Sequence, residues 1–301
     1  MNGTPDADRP LDSDGDLDTL PDRARAFRDR HTDTGGTGPL LLANAWDCAS
    51  ALVYESVGFE AVGTSSAGIA AAHGVPDGEH LSREEMLAAV ERIARCVAVP
   101  VSADIEAGYG DSPEAVAETV RGVIHAGAVG VNLEDGTDVD GPLVDTGRHA
   151  AVVRAARTAA DEAGVPLVVN ARTDVFWRSV GEGEERVAHA VERANAYADA
   201  GADCLFAPGV TTVDEIERLV AGVDGPVNVL GGPGVPPVST LGDLGVARVS
   251  VGSGPMRATL GHLREVGEEL RDEGTYRSMA GAIPYAEVTE LLAASVARRG
   301  A

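Results

Sequence analysis

The 301-residue chain carries 48 Asp and Glu against 24 basic residues, for a formal charge of −24. Every basic residue is Arg, and the absence of Lys excludes Schiff-base aldolase chemistry and lysine-bound pyridoxal phosphate. The negative balance argues against nucleic acid or an anionic membrane as partner, and no apolar run approaches the ~18 residues of a membrane span.

Residues 1–38 read as an acidic, disordered tail holding one short helix near 21–31, and 39–301 as the folded domain. The polar N-terminus predicts no secretory leader, so the expected location is the cytoplasm. Three cysteines, Cys48, Cys96 and Cys204, share no metal-type spacing. They read as small buried hydrophobes, and their odd number fits a reducing compartment. The acid-rich composition is similar to that of proteins working in molar salt, where a Debye length of ~3 Å screens self-repulsion.

From Leu40 onward apolar strands alternate with amphipathic helices. The strands are expected at 39–43, 60–64, 99–104, 128–133, 166–171, 202–207, 226–230 and 246–251. Helices are expected near 47–57, 82–96, 113–125, 147–163, 184–200, 212–222, 239–244 and 255–273. Ser82 with Glu85 spells a capping box, and Ser112-Pro113 an N-cap followed by a first-turn proline. Repeated turns such as Ala126-Gly-Ala and Ala200-Gly-Ala feed helix ends straight into strands. This rhythm predicts an α/β fold, a (β/α)8 barrel, in preference to a doubly wound open sheet. A further helix at 284–299 carries the stripe Ile283, Val288, Leu291, Leu292 and Val296. With eight helices already placed upstream, this helix is expected on a neighbouring subunit of a homodimer or homotetramer.

Barrel active sites form at the C-terminal strand ends. Those ends read Asn44-Ala-Trp-Asp47, Thr64-Ser-Ser66, Asp104 with Glu106, Glu134-Asp135, Asn170 with Arg172, Ala207-Pro208, Asn228 and Gly252-Ser253. Asp104 and Glu106 lie two apart where strand becomes loop, so an extended chain aims both at one point. Two carboxylates there call for a cation or a shared proton. An oxygen-only set without His suits Mg²⁺, or Mn²⁺, and not zinc.

These segments together resemble the isocitrate lyase/phosphoenolpyruvate mutase superfamily, and most closely its short members named carboxyvinyl-carboxyphosphonate phosphorylmutase-like or phosphoenolpyruvate phosphonomutase-like. The resemblance rests on Leu40–Asp47, Thr64–Gly68, Gly74–Asp77, Val101–Gly110, Val131–Asp135, Asn170–Asp174 and Phe206–Gly209, in family order over roughly residues 25–275. It implies a Mg²⁺-dependent lyase, decarboxylase or mutase acting on a small 2-oxo or 2-hydroxy acid through a pyruvate-like enolate. It further implies Asp104 as the direct metal ligand, with Asp77, Glu106 and Glu134 holding the metal's waters. Ser65, Ser66 and Ala67 are implied to bind the substrate's acidic group, and Arg172 to pair with it. Trp46 and Asn228 are further substrate-binding candidates. The C-terminal helices of this superfamily are exchanged between subunits.

The chain departs from the pattern after Asp135. Members that cleave isocitrate or methylisocitrate carry Lys, Cys and His in the loop that follows, and the mutases carry Lys and Asn. Residues 136–148 of this chain contain none of these. Cleavage or decarboxylation with water as proton source therefore fits better than either best-known reaction. The punctuating Gly136, Gly141 and Gly147 predict a mobile lid at 135–148. Two other readings stay open: a metal-free phosphosugar-binding barrel using Gly231-Gly232 and Gly252-Ser-Gly254, and a non-catalytic barrel kept for assembly or ligand sensing.

Overall fold

The computed structural model describes residues 19–32, 38–136 and 141–299, with side chains to 296. Expectations for residues 1–18 and 33–37 of the predicted tail, and for 137–140 within the predicted lid, lie outside the described residues. Eight parallel strands close into a barrel in sequence order, β1 pairing with both β2 and β8. They are β1 Leu40–Ala45, β2 Val62–Thr64, β3 Val101–Asp104, β4 Gly130–Glu134, β5 Val168–Arg172, β6 Cys204–Phe206, β7 Val227–Leu230 and β8 Arg248–Ser250. The helices are α1 Leu20–Thr32, α2 Cys48–Ser56, α3 Ser66–His73, α4 Arg83–Ala94, α5 Pro113–His125 and α6 Thr146–Glu162. There follow α7 Gly183–Asp199, α8 Val213–Gly222, α9 Val238–Asp243, α10 Gly254–Asp272 and α11 Tyr285–Arg299.

Local chemistry accounts for most boundaries. Ser82 and Glu85 form the reciprocal capping box at the start of α4, and Ser112 accepts from the Ala115 amide before Pro113 opens α5. Gly127 and Gly201, at φ 89° and 105°, make the left-handed turns that send α5 and α7 back into strands. The helix not expected from the sequence is α3, whose Ser65 N-cap accepts from the Gly68 amide. Its residues Ser66 to His73 are small and mostly apolar, so they show little amphipathic period and read as a strand-end loop.

Helix α1 packs across the N-terminal ends of the strands. Its Phe27 is buried against Gly130, where an added Cβ would lie 2.9 Å from the ring. Arg28 donates to the Leu167 carbonyl at 3.2 Å and pairs with Asp203 at 3.0 Å. The bottom of the barrel is thus plugged, and the open end is the C-terminal one.

Two features differ from the sequence reading. Cys48 and Cys96 form a disulfide tying the start of α2 to the chain just beyond α4, while Cys204 alone is free and buried. Helix and strand geometry brings together residues 48 apart, which no linear spacing reveals. The bond also removes the argument from cysteine usage for a reducing compartment. The second feature concerns the C-terminal helices. α11 lies on α2 of its own chain, with Val288, Leu291 and Leu292 facing Leu52 and Val53 across an apolar groove. It is α10, counted as the eighth barrel helix, that stands away, burying only Met256 and Glu269 along its length.

Candidate active site

Strand alternation aims Ser102 and Asp104, Asn132 and Glu134, Asn170 and Arg172, and Arg248 and Ser250 into the barrel. Above this layer lies a cavity of 130 Å³, lined at its mouth by Ser65, Ser66, Ala67, Asp77, Asp104 and Arg172. A second cavity of 280 Å³ adjoins it, sharing Asp77, Arg172 and Trp177 and adding Glu79, Glu106, Glu134 and Asp174.

Asp104 is held from both sides. Its Oδ1 accepts from Asn132 Nδ2 and its Oδ2 from the Ser66 amide, each at 2.9 Å. The Ser66 amide is one of the free N–H groups at the start of α3, so the positive end of that helix faces the site. The Ser66 hydroxyl donates to Asp77, whose carboxyl is nonetheless raised by burial and by the Asp104 charge.

Glu106 does not extend the alternation of β3. The strand ends at Asp104, and Glu106 adopts φ 51°, a left-handed conformation costly for a residue with a Cβ. Its carboxylate instead gathers the 77–79 loop, with Oε2 accepting from the amides of Gly78 at 2.9 Å and Glu79 at 2.6 Å. Oε1 accepts from the Tyr109 hydroxyl at 2.8 Å. Burial pushes the Glu106 carboxyl up to about 7 despite the Tyr109 bond, and the Asp77 and Asp104 charges add to the rise.

The Glu134-Asp135 pair splits between two faces. Glu134 meets Arg172 Nη1 at 2.5 Å, while Asp135 turns outward and is fully buried. Burial raises the Glu134 carboxyl well above its usual range, with Arg172 opposing and the charges of Asp174, Asp104 and Glu106 reinforcing. Arg172 also grips Asp174 side-on, Nε to Oδ1 at 2.6 Å and Nη2 to Oδ2 at 3.1 Å, beneath the Trp177 ring at 5.7 Å. Burial works against the guanidinium, but Glu134, Asp174 and Asp104 together hold its pKa above the ordinary value. Asp135 belongs to a separate network, accepting from the Asp174 amide at 2.9 Å, Arg193 at 2.9 Å and the Tyr197 hydroxyl at 2.7 Å.

Ser65, Ser66, Ala67, Asp77, Asp104, Glu106, Glu134 and Arg172 therefore surround one mouth. Trp46 sits apart, lining the apolar groove between α2 and α11. Asn228 lies beneath the cavity and bonds Ser250 Oγ at 3.0 Å, so it reaches the site only through that hydroxyl. Sequence reasoning did not single out Asn132, Asp174, Trp177 or Arg248. Arg248 had a signal, a charged residue inside an otherwise apolar strand; Asn132 was similarly visible between Val131 and Leu133.

Among the described residues no three acidic, His or Cys side chains converge closely enough to coordinate a metal directly. Burial first, and neighbouring carboxylate charge after it, raise Asp77, Glu106 and Glu134, so these acids are held together in a poorly solvated pocket. An oxygen-only donor set of this kind is one that a small hard cation suits. Within the predicted lid, Gly136 and Leu143 form an antiparallel bridge, and Arg178 donates to the Gly141 carbonyl.

The family model for phosphoenolpyruvate phosphomutase matches residues 27–271. Phosphonopyruvate hydrolase from Variovorax sp. is 32% identical over 80% of this chain and 86% of its own length. The 2-methylisocitrate lyase of Escherichia coli is 29% identical over 80% of this chain and 83% of its own length. A solved structure from Burkholderia cenocepacia, described as a lyase/mutase, superposes with a TM-score of 0.84 at 36% identity, covering 91% of this chain and 97% of that one.

Proposed function

Because the chain belongs to the phosphoenolpyruvate phosphomutase family, we propose that it is a Mg²⁺-dependent lyase or decarboxylase of a small 2-oxo or 2-hydroxy acid. Rearrangement of a P–C or P–O bond is the other chemistry that this family framework accommodates. The observation that carries the reading is the array of Asp77, Asp104, Glu106 and Glu134 around two adjoining cavities beside Arg172 and the α3 N-terminus, with burial first and neighbouring carboxylate charge second raising Asp77, Glu106 and Glu134.

Asp104 would hold the ion directly, and Asp77, Glu106 and Glu134 its waters. Bound there, Mg²⁺ supplies Lewis-acid stabilisation of the negative oxygen that develops as the bond breaks. Ser65 to Ala67 offer the positive end of α3 to the substrate's acidic group. Arg172 faces the same cavity with a fixed charge, its orientation set by Asp174 and Glu134. The Trp177 and Phe206 rings line this side of the cavity, 5.7 and 6.0 Å from the Arg172 guanidinium. No Lys, Cys or His occurs in 136–148, so water is the proton source for the departing enolate.

The test is a screen of oxaloacetate, phosphonopyruvate, phosphoenolpyruvate and methylisocitrate in molar KCl, the medium that the acidic composition suits. Release of a pyruvate-type product that EDTA abolishes and Mg²⁺ restores is expected. Turnover indifferent to EDTA would overturn the metal-dependent reading. It would favour the metal-free phosphate-binding barrel, for which Gly252, Gly254 and Arg257 line the same cavity.

The chain is also proposed to be a homodimer or homotetramer. Supporting this, Leu260 and Leu263 on α10 are 51% and 62% exposed along a helix that stands off its own barrel. A single monomeric boundary in sedimentation velocity would refute it.

A further inference from the structure

The interior of a (β/α)8 barrel is usually packed with branched apolar side chains. Here the layer beneath the acids is polar: Asn44, Ser102, Asn132, Ser250 and Arg248 line the floor of the 130 Å³ cavity. Arg248 is the anomaly in that layer. It is 2% exposed, opens β8, and sends Nε to Ser250 Oγ at 3.1 Å. Its Nη1 is buried with no hydrogen-bond partner. Among the described residues no carboxylate lies within ion-pair distance of it. The other inward-held arginines, Arg157, Arg172, Arg178 and Arg193, each have an acidic partner. Ser102 Oγ and Asn170 Oδ1 nearby in the same barrel interior are also unpartnered.

An unpaired buried cation is among the most costly features a fold can carry, and it is retained where something binds it. Burial lowers the Arg248 pKa only to about 10, so the side chain remains a cation at neutral pH. The Asp104 charge acts on it through space, but no ion pair joins the two. A guanidinium with an unpaired N–H edge is the group that recognises a carboxylate or phosphonate in two-point fashion.

We propose that Arg248 binds a second acidic group of the substrate at the floor of the cavity, opposite the one met by Arg172 and the α3 N-terminus. This rests on the functional reading above and narrows it to 2-oxo acids bearing two acidic groups. The second group is a carboxylate or a phosphonate, which share the oxyanion chemistry Arg248 requires. A substrate with one acidic group leaves the guanidinium unpaired and is discriminated against.

Three 2-oxo acids separate the cases: pyruvate with one acidic group, oxaloacetate with a second carboxylate, and phosphonopyruvate with a phosphonate. Thermal-shift titrations of the full chain with Mg²⁺ would compare wild type, Arg248→Met and Arg248→Lys. In wild type, oxaloacetate or phosphonopyruvate is expected to bind at least 10-fold more tightly than pyruvate, and which of the two does so identifies the group. Arg248→Met should abolish that preference while leaving pyruvate affinity within about two-fold. The melting temperature of ligand-free Arg248→Met should not fall, since an unpaired buried charge is replaced by an apolar chain. If Arg248→Met does not fold, Arg248→Lys decides, and a partial loss of the preference is expected. A preference unchanged in the folded variants, or a loss shared equally by pyruvate, overturns the assignment to Arg248. Wild type that binds none of the three acids refutes the functional reading itself, and this proposal with it.

Discussion

Replacing Asp135 by Ala should destabilise the protein severely, although the residue touches no cavity. Its carboxylate is fully buried and satisfies three donors on two segments: Arg193 and Tyr197 of α7 and the Asp174 amide after β5. Removing one member of a buried ion pair costs roughly 3–5 kcal/mol, because the other charge is left uncompensated. The Tyr197 hydroxyl and the Asp174 amide each lose an acceptor, worth about 1–3 kcal/mol apiece when buried, and these losses overlap. Taking ~4 kcal/mol in all, and 2–4 °C per kcal/mol for a chain of this size, the melting temperature should fall by roughly 10 °C. Calorimetry in low salt and in molar KCl is the assay. A buried pair is little screened, so the drop should persist in salt, whereas the exposed Arg218–Glu184 pair should contribute nothing there. Asp135→Leu combined with Arg193→Met, which removes both charges, should recover much of the loss. Because the Asp174 amide anchors the loop whose carboxylate grips Arg172, kcat/KM should fall as well. A melting temperature within about 2 °C of wild type would refute this reasoning.

Asp104→Asn should abolish Mg²⁺-dependent turnover while costing the fold only about 1 kcal/mol, since the amide oxygen still accepts one of the two bonds from Asn132 and the Ser66 amide; metal titration calorimetry and kinetics check it. Arg172→Lys keeps the charge but loses the side-on grip on Asp174, so kcat/KM should drop by ~10-fold or more with a raised KM. Unchanged kinetics would make Arg172 a purely structural ion-pair partner. Reducing the Cys48–Cys96 bond, which closes a loop spanning 48 residues, should remove about 4 kcal/mol by loop entropy. Melting curves with and without dithiothreitol read this directly, and identical curves would contradict it. Burial depresses His31 to about 3 and His149 to about 4, so both imidazoles should stay neutral in NMR titrations down to pH 5. Between those values and the unfolded value near ~6.5 the unfolded chain binds the extra protons, so each group favours unfolding as pH falls.

The eight strands were legible because each is a short apolar run and most follow a turn glycine, and barrel closure follows from their number and parallel sense. The acids at the mouth were legible for a related reason: a charged residue at the end of an apolar strand has few places to point. Inference from local spacing failed where the chain leaves regular geometry. Alternation held for Ser102 and Asp104 but not for Glu106, whose left-handed backbone turns its carboxylate onto the 77–79 loop. It also could not divide Glu134 from Asp135, because adjacent residues face opposite sides and only the packing of α7 shows what awaits the outward one. The disulfide was hidden in the same way, since α2 and the end of α4 meet only in three dimensions.

Helix α3 carries the argument furthest from spacing toward physics. Its residues offer neither a periodic apolar face nor strong helix formers beyond alanine, so a window count passes over it. What forms it is Ser65, which caps the first turn, and Gly68, where an added Cβ would come within 2.7 Å of Trp46. That close approach lets α3 begin directly at the end of β2, with its amide of Ser66 on Asp104 and its hydroxyl on Asp77. Ser65 to Ala67 therefore shape the acid array as well as offering a place for the substrate's anion. Two consequences of one short helix meet here: it holds carboxylates in position with its free amides, and it supplies positive potential that their crowding demands. A side chain larger than glycine at position 68 should accordingly disturb the geometry at Asp104 before it disturbs the barrel.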